Sequence, residues 1–118
     1  MKKKDNQLKL KKFFVHMLQI SNDSNFNKFY YRNRAHVMIV LLISSKNNYT
    51  YENICKEIPG NLCGRTTIKS ILNEGVNFGY FIKLKSKIDN RKQFYKLNNK
   101  SNIEMTKWIN RMKEIFCN

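Results

Sequence analysis

Acidic residues are scarce in this 118-residue chain, which has 8 Asp and Glu against 23 Lys and Arg and a formal net charge of +15. Self-repulsion of this size opposes folding and favours a polyanionic partner. The scarcity also works against catalysis by paired carboxylates in an apolar setting. No P-loop and no plausible Ser, His and Asp set is present either. The sequence therefore predicts a protein that is not an enzyme and uses no cofactor.

Long hydrophobic runs and cysteine are scarce as well. The longest apolar run, Val37 to Ile43, has seven residues, whereas a membrane-spanning helix needs about 20. No apolar stretch of signal-peptide type follows the basic N-terminus. Cys55, Cys63 and Cys117 fit neither a disulfide framework nor a zinc knuckle, and the two histidines have no ligand at metal-binding spacing. We therefore expect a cytoplasmic protein with reduced cysteines, no metal and no membrane partner.

The positive charge lies in two blocks. Residues 1–34 carry nine basic and two acidic side chains, and residues 61–100 carry the same numbers, so each block has a net charge of +7. Residues 35–60 between them are neutral. A coding bias toward lysine would spread the charge evenly, so two separate blocks predict surfaces that contact an anionic partner.

Hydrophobic periodicity predicts five helices and one hairpin in a single domain over residues 1–118. The fold class is mostly α with a small β-hairpin: a winged helix-turn-helix core at 33–98, a basic N-terminal amphipathic helix and loop at 1–32, and a C-terminal helix at 99–118. The first half of the chain is expected to contain a helix of about three turns around Leu10–Leu18, a loop at Ser21–Asn27, a buried helix at Arg34–Ser44 and a break at Ser45–Tyr49. A helix at Tyr51–Ile58, capped by Thr50, and a helix from Gly64 to Gly79 follow. The chain then forms strands at Tyr80–Lys85 and Lys92–Leu97 around an Asp89-Asn90 turn, and a last helix opened by a Ser101–Glu104 capping box.

The two helices on either side of Pro59 and Gly60 form a helix-turn-helix, and the hairpin that follows makes it winged. The second helix offers polar side chains that donate hydrogen bonds to base edges or phosphates, and the hairpin is rich in lysine. Such a helix fits the major groove of double-stranded DNA. The candidate DNA-binding residues are Arg65, Thr66, Thr67, Lys69, Ser70 and Asn73 on the helix and Lys83, Lys85, Lys87, Arg91 and Lys92 on the hairpin.

The stretch GRTTIKSILNEGVNFGYFIKLKSKIDNRKQFYKLN resembles the winged-helix core of the multiple-antibiotic-resistance regulator (MarR) family, including its small accessory-regulator relatives. Ile68 and Gly79 have the family's spacing of eleven, and Asp89-Asn90-Arg91 matches its Asp-x-Arg wing signature. The resemblance covers residues 33–98. It implies a sequence-specific transcriptional regulator in which Arg91 enters the minor groove and Asp89, a further candidate site residue, holds Arg91 in position.

Two features depart from the family pattern. Gly75 stands where the family usually has a leucine, which predicts weaker packing of the recognition helix or a bend. The chain also has a single short C-terminal helix where the family usually has two. The aromatic faces of the first and last helices nevertheless predict a homodimer.

Other interpretations of the same patterns stay open. A replication initiator or an RNA-binding protein of a mobile element can contain a winged helix, and a winged helix can also serve only protein–protein interaction. The basic first helix matches a membrane-surface helix, although packing against its own domain or a partner subunit is favoured. Thr66 and Thr67 can serve the first turn of their helix. Cys63 is either a thiol whose pKa is lowered by the helix N-terminus and Arg65, or an inert small residue, which we favour.

Overall fold

The computed structural model describes residues 2–20, 24–46, 48–89 and 91–117. Within these ranges it contains six helices and one three-stranded antiparallel sheet. The predicted fold class, mostly α with a small hairpin, is confirmed. No helix in the described ranges combines the length and the hydropathy that crossing a membrane requires. In chain order the elements are α1 (Lys2–Gln19), α2 (Asn25–Tyr30), α3 (Arg34–Ser45), β1 (Tyr49–Thr50), α4 (Tyr51–Glu57), α5 (Arg65–Asn77), β2 (Phe81–Lys85), β3 (Gln93–Leu97) and α6 (Asn99–Phe116).

The core surrounds α3, as the apolar composition of this helix predicted. Ile39, Val40 and Ile43 are completely buried. Against α3 lies α5, which buries Ile68 and Leu72 at helical spacing and leaves its opposite side to solvent. One face of α5 is therefore fixed in the core while the other is free to contact a partner.

The sheet has the strand order β1-β3-β2. Strand β1, in which Tyr49 pairs with Tyr95, was not predicted, because two residues are too few to show an alternating pattern. Strands β2 and β3 form the predicted hairpin, with each strand one residue shorter than expected. The alternating pattern predicts Tyr80, Ile82 and Leu84 on one side of β2 and Phe81, Lys83 and Lys85 on the other. In the structure Phe81 is buried, whereas Leu84 is 44% exposed. The inner face of β2 is thus the face that the pattern had assigned mostly to lysines.

Helix α2 corrects the prediction of a loop at Ser21–Asn27. Residues 21–23 lie outside the described ranges, but Asn25–Tyr30 is helical, and the Ser24 side chain accepts a hydrogen bond from the Asn27 backbone N–H. Phe26, Phe29 and Tyr30 are all buried. Their spacing of three and four residues places three aromatic rings on one side of a single helical segment, and this burial outweighs the loop preference of Asn and Ser.

Helix α1 is longer than predicted, and α6 begins before its predicted capping box. Helix α1 has eighteen residues instead of about three turns. Helix α6 also has eighteen residues and is capped by Asn98, whose side chain accepts from the Ser101 backbone N–H, so the predicted Ser101–Glu104 capping box is wrong. Ser101 is buried, and Glu104 instead accepts a hydrogen bond from the Ser24 hydroxyl at 3.1 Å. The cap at Asn98 lets the helix begin at Asn99 and satisfies one of the N–H groups that are free in its first turn.

Gly75 allows helix α5 to pack directly on Phe81, the first residue of the wing. A Cβ atom at this position would overlap the ring of Phe81, which is itself buried and also lies 5.7 Å from the Phe29 ring. The predicted weakening of the packing at Gly75 is therefore wrong, because the missing side chain makes room for an aromatic ring. Gly79, which ends the helical region as expected, has a φ of +78°.

A polar network ties α5 to the start of α3. Glu74 forms an ion pair with Arg32 and accepts from His36 Nε2 at 2.9 Å, while His36 Nδ1 lies 2.8 Å from the Asn33 Oδ1 atom. Burial alone would raise the pKa of the Glu74 carboxyl, but the hydrogen bonds from His36 and Arg32 outweigh it and lower that pKa. The network therefore holds a charged carboxylate beside the exposed face of α5.

We expect Gly75→Ala to lower the free energy of unfolding by about 1–3 kcal/mol, because the added methyl group overlaps a ring that cannot move away. In an ordinary helix interior the same change is stabilising by roughly 0.5–1 kcal/mol. Gly60→Ala is the matched control, since nothing lies within 4 Å of its Cβ position. Urea unfolding compares the two variants. A Gly75→Ala protein as stable as the control would contradict the proposed packing.

Glu74→Gln should lower the free energy of unfolding by about 1–2 kcal/mol near neutral pH, because charge-assisted hydrogen bonds are lost. Since the pKa of Glu74 is lowered in the folded state, this stabilisation is present above the ordinary value of 4.5 and disappears as the pH falls through the lower folded value. Urea unfolding at about pH 7, 5 and 3 measures the gap between wild type and variant.

The difference in the free energy of unfolding between wild type and Glu74→Gln should be similar at the two higher pH values and should disappear at the lowest. Glu114→Gln is the control, because Glu114 is 63% exposed and its ion pair with Arg111 is worth little. A gap that persists at the lowest pH would mean that the glutamine disturbs packing and that charge is not responsible.

Candidate nucleic-acid interface

The outward face of α5 is polar and accessible. Thr66, Thr67, Ser70 and Asn73 are all exposed, whereas the opposite side of the helix is buried. These four side chains line one broad, open depression in the surface. The depression also contains four polar residues that the sequence patterns did not indicate, namely Arg32, Asn33, Glu74 and Asn77. The α3 cap and the Glu74 network bring Arg32 and Asn33 there without a local sequence signature, whereas Asn77 lies one turn after Asn73 on α5 itself.

Arg65 is held at the junction of α4 and α5. Its Nη2 atom lies 2.5 Å from Glu52 Oε1, and its guanidinium carbon lies 5.3 Å from the centre of the Tyr51 ring. The Tyr51 hydroxyl in turn donates to the Arg65 backbone carbonyl at 3.1 Å. Glu52 therefore bonds one edge of the guanidinium group and the Tyr51 ring covers one of its faces. These two contacts restrict the orientation of the Arg65 side chain at the start of α5.

Lys69 lies on α5 where this helix faces the wing. Its Nζ atom is 5.1 Å from the Tyr51 ring centre and 6.0 Å from that of Tyr95, and 3.4 Å from the Tyr95 hydroxyl. Lys83 of the wing approaches the same Tyr95 ring at 5.8 Å. Lys69 is therefore only half exposed, and the two tyrosines are functional candidates that the sequence analysis missed.

The wing presents the remaining candidates to solvent. Lys83, Lys85, Lys87, Arg91 and Lys92 are all exposed. At the tip, Asp89 Oδ1 accepts from the Arg91 backbone N–H at 3.0 Å and lies 3.4 Å from Arg91 Nε. The Asp-x-Arg pair is thus arranged so that the carboxylate can orient the arginine. Asn90, between them and part of the predicted turn, lies outside the described residues.

The helix and the wing contribute to one continuous surface. Arg91 and Gln93 of the wing line a small depression together with Lys69 of α5 and Glu52 of α4. The fold therefore brings Lys69 and Arg91, one predicted residue from each element, to the same depression. We call their cationic members the basic surface, which consists of Arg65, Lys69, Lys83, Lys85, Lys87, Arg91 and Lys92.

Other residues considered from the sequence lie outside this surface. Cys63 is buried, and burial raises the pKa of its thiol, which is opposite to the effect expected for a reactive cysteine at a helix start. His16 and His36 are buried, and each lies near a hydrogen-bonding partner in the protein. Among the described residues no three His, Cys, Asp or Glu side chains form a group that could hold a metal ion.

No protein-family model and no curated protein sequence matches the chain. Solved structures do match its fold. NadR in complex with 4-hydroxyphenylacetate superposes with a TM-score of 0.59 at 14% identity, over 86% of this chain and 71% of NadR. Reduced AbfR bound to DNA gives a TM-score of 0.54 at 15% identity, over 92% of this chain and 77% of AbfR.

A third structure, the transcriptional repressor CouR bound to a 23-mer DNA duplex, gives a TM-score of 0.54 at 16% identity. The match covers 89% of this chain and 70% of CouR. All three proteins are regulators of the MarR family. At such low identity the likeness concerns the fold, and it agrees with the fold expected from the wing signature: this chain has the winged-helix fold of the MarR-family regulators.

Proposed function

We propose that the protein is a transcriptional regulator that binds double-stranded DNA through α5 and the wing, and that it is not an enzyme. The observation that carries the proposal is that the basic surface adjoins the exposed polar face of α5, and that Lys69 of α5 and Arg91 of the wing line one depression. The fold is shared with AbfR and CouR, both of which were solved bound to DNA. We also propose that the protein acts in the cytoplasm.

In the proposed complex α5 lies in the major groove, whose width admits one helix. Arg65, at the start of the helix, donates through its planar fork to guanine O6 and N7, and Glu52 fixes the plane of that fork. Thr66, Ser70 and Asn73 along the outer face donate to base edges or phosphates. Lys69, packed on the tyrosines, contributes positive charge close to the backbone.

The wing contacts the neighbouring backbone and the minor groove. Arg91 is 93% exposed, and its charge suits the strong negative potential of a narrow, A·T-rich minor groove. Asp89 orients Arg91 without contacting DNA itself, and the wing lysines neutralise phosphates on either side. These roles correspond to the ones that the family resemblance implies.

We further propose that the chain is a homodimer built from α1 and α6. Helix α1 packs its inner face on α6, where the rings of Phe13 and Phe116 lie 5.7 Å apart. Its outer face is apolar as well, and Phe14 and Leu18 on that face are 52% and 59% exposed. On α6, Ile109 is 45% exposed. Apolar side chains concentrated on two long helices are typical of a surface that is covered by another subunit.

The DNA proposal predicts binding to a random duplex at low salt. If a dimer neutralises about six to ten phosphates, log K should fall with log salt at a slope of roughly −5 to −9. Arg65→Ala should cost roughly 1–3 kcal/mol on a duplex selected from a random pool and should relax its sequence preference. Fluorescence anisotropy over a salt series measures both quantities.

Lys107→Ala is the charge-matched control, because it removes one positive charge from α6 outside the basic surface. Its sequence preference should equal that of the wild type. Failure of the wild type to bind any duplex would support a protein-interaction module and overturn the proposal. Tighter binding to single-stranded or double-stranded RNA of the same length would replace DNA by RNA as the partner.

The dimer proposal predicts that sedimentation gives twice the mass of the chain, and that Phe14→Asp gives a monomer with unchanged helix content. The aspartate would place a charge in an apolar interface, whereas in the single chain it is exposed to solvent. Gln19→Asp is the matched control on the same helix, about 140° around its axis from Phe14, and should stay dimeric. A wild-type monomer at tens of micromolar, or equal effects of the two variants, would contradict the assignment.

A further inference from the structure

Ile88, at the tip of the wing, is 99% exposed. Among the described residues, the other exposed large hydrophobic side chains are covered more by the rest of the protein. The next most exposed is Leu10, at 63%. The sequence patterns gave Ile88 no role, because it lies in the turn between two strands. Its exposure is therefore a feature that neither the core nor the proposed phosphate contacts explain.

The backbone around Ile88 is held in place by hydrogen bonds. The Ser86 hydroxyl oxygen accepts from the backbone N–H groups of both Ile88 and Asp89 at 3.2 Å. The Ser86 N–H donates to the Lys92 carbonyl at 2.9 Å, and the Lys92 N–H donates to the Asp89 carbonyl at 3.0 Å. These bonds close the tip of the hairpin and fix the direction in which the Ile88 side chain leaves it. The exposure is a consequence of this turn geometry.

The surroundings of Ile88 determine which partner suits it. Lys87, Arg91 and Lys92 are all exposed around the tip, so an apolar partner surface must also be strongly anionic. The DNA minor groove has both properties, because sugar rings form its walls and phosphates line its edges. Branched aliphatic side chains that enter this groove partly unstack a base step and bend the duplex.

We propose that Ile88 enters the minor groove beside Arg91 as an apolar wedge, in contact with the sugar walls and one base step. This inference rests on the proposed DNA-binding function and adds a specificity-determining residue to it. Pyrimidine–purine steps such as TA unstack most easily, so the wedge favours them at the position of the wing tip. Arg91 instead reads groove width and potential, so the two neighbouring side chains respond to different properties of the same groove.

The experiment compares Ile88→Ala with Arg91→Ala on a duplex selected from a random pool. An apolar contact releases no counterions, so Ile88→Ala should weaken binding by roughly five- to tenfold with an unchanged salt slope. Arg91→Ala should also weaken binding, and it should reduce the magnitude of the slope by about one. Replacing a TA step under the wing by GG should weaken DNA binding by the wild type more than it weakens DNA binding by Ile88→Ala.

Two controls keep the test specific. Ile88→Leu retains an aliphatic side chain and should bind within about twofold of the wild type, and Leu84→Ala removes an exposed aliphatic group from the wing away from its tip. Equal binding by Ile88→Ala and the wild type would overturn the wedge while leaving the DNA proposal intact. Failure of the wild type to bind any duplex would overturn both. Binding of the wild type to phosphatidylserine vesicles that is lost in Ile88→Ala would assign the tip to a lipid surface and overturn the wedge.

Discussion

The close approach of Gly75 to the Phe81 ring is the contact on which the geometry of the candidate interface depends. Only Phe78, Gly79 and Tyr80 separate α5 from the wing, so the packing at this point sets the angle between the two elements. The same ring lies against Phe29 of α2, which connects this junction to the core beneath it. A side chain at position 75 would move α5 away from β2 and change the distance between the helix face and the wing tip.

Three of the eight acidic residues pair with arginines at or beside the basic surface. Glu74 pairs with Arg32, Glu52 with Arg65, and Asp89 with Arg91. Both residues of the Glu52 pair are more than half exposed, so this ion pair contributes little to stability. The more important effect is geometric, because a guanidinium group held at one edge presents its other donors in a fixed plane.

Much of the fold could be predicted from the sequence because its helices and hairpin have regular apolar spacing. Helix α5 repeats its aliphatic residues every three or four positions, and the Asp-x-Arg signature located the wing tip. Helix α2 was missed because its Asn-rich composition is typical of loops, while the burial that stabilises it depends on aromatic contacts with distant residues such as Tyr80. The α6 start was misplaced because Ser101 and Asn98 are both good capping residues, and only the position of the preceding strand decides between them.

The candidate site was predictable where it is continuous in sequence and unpredictable where it depends on tertiary contacts. The exposed side of α5 follows from helical periodicity once its buried side is known. The pairing of Arg65 with Glu52 depends on the angle between α4 and α5, and the packing of Lys69 on Tyr95 depends on how the wing folds back. Neither contact has a local sequence signature.

The high charge of the chain limits what its basic side chains can contribute to sequence recognition in the proposed complex. Phosphate contacts are the same for every duplex and weaken with salt, and a genome offers a large excess of competing sites. Selectivity then depends on the uncharged donors along α5, whose hydrogen bonds release no counterions, and on charged groups whose orientation is restricted. Glu52 and Asp89 each bond a guanidinium at one edge, which leaves Arg65 and Arg91 fewer orientations than a free side chain would have. In so basic a chain, these two acidic side chains therefore favour selective binding over general attraction to any polyanion.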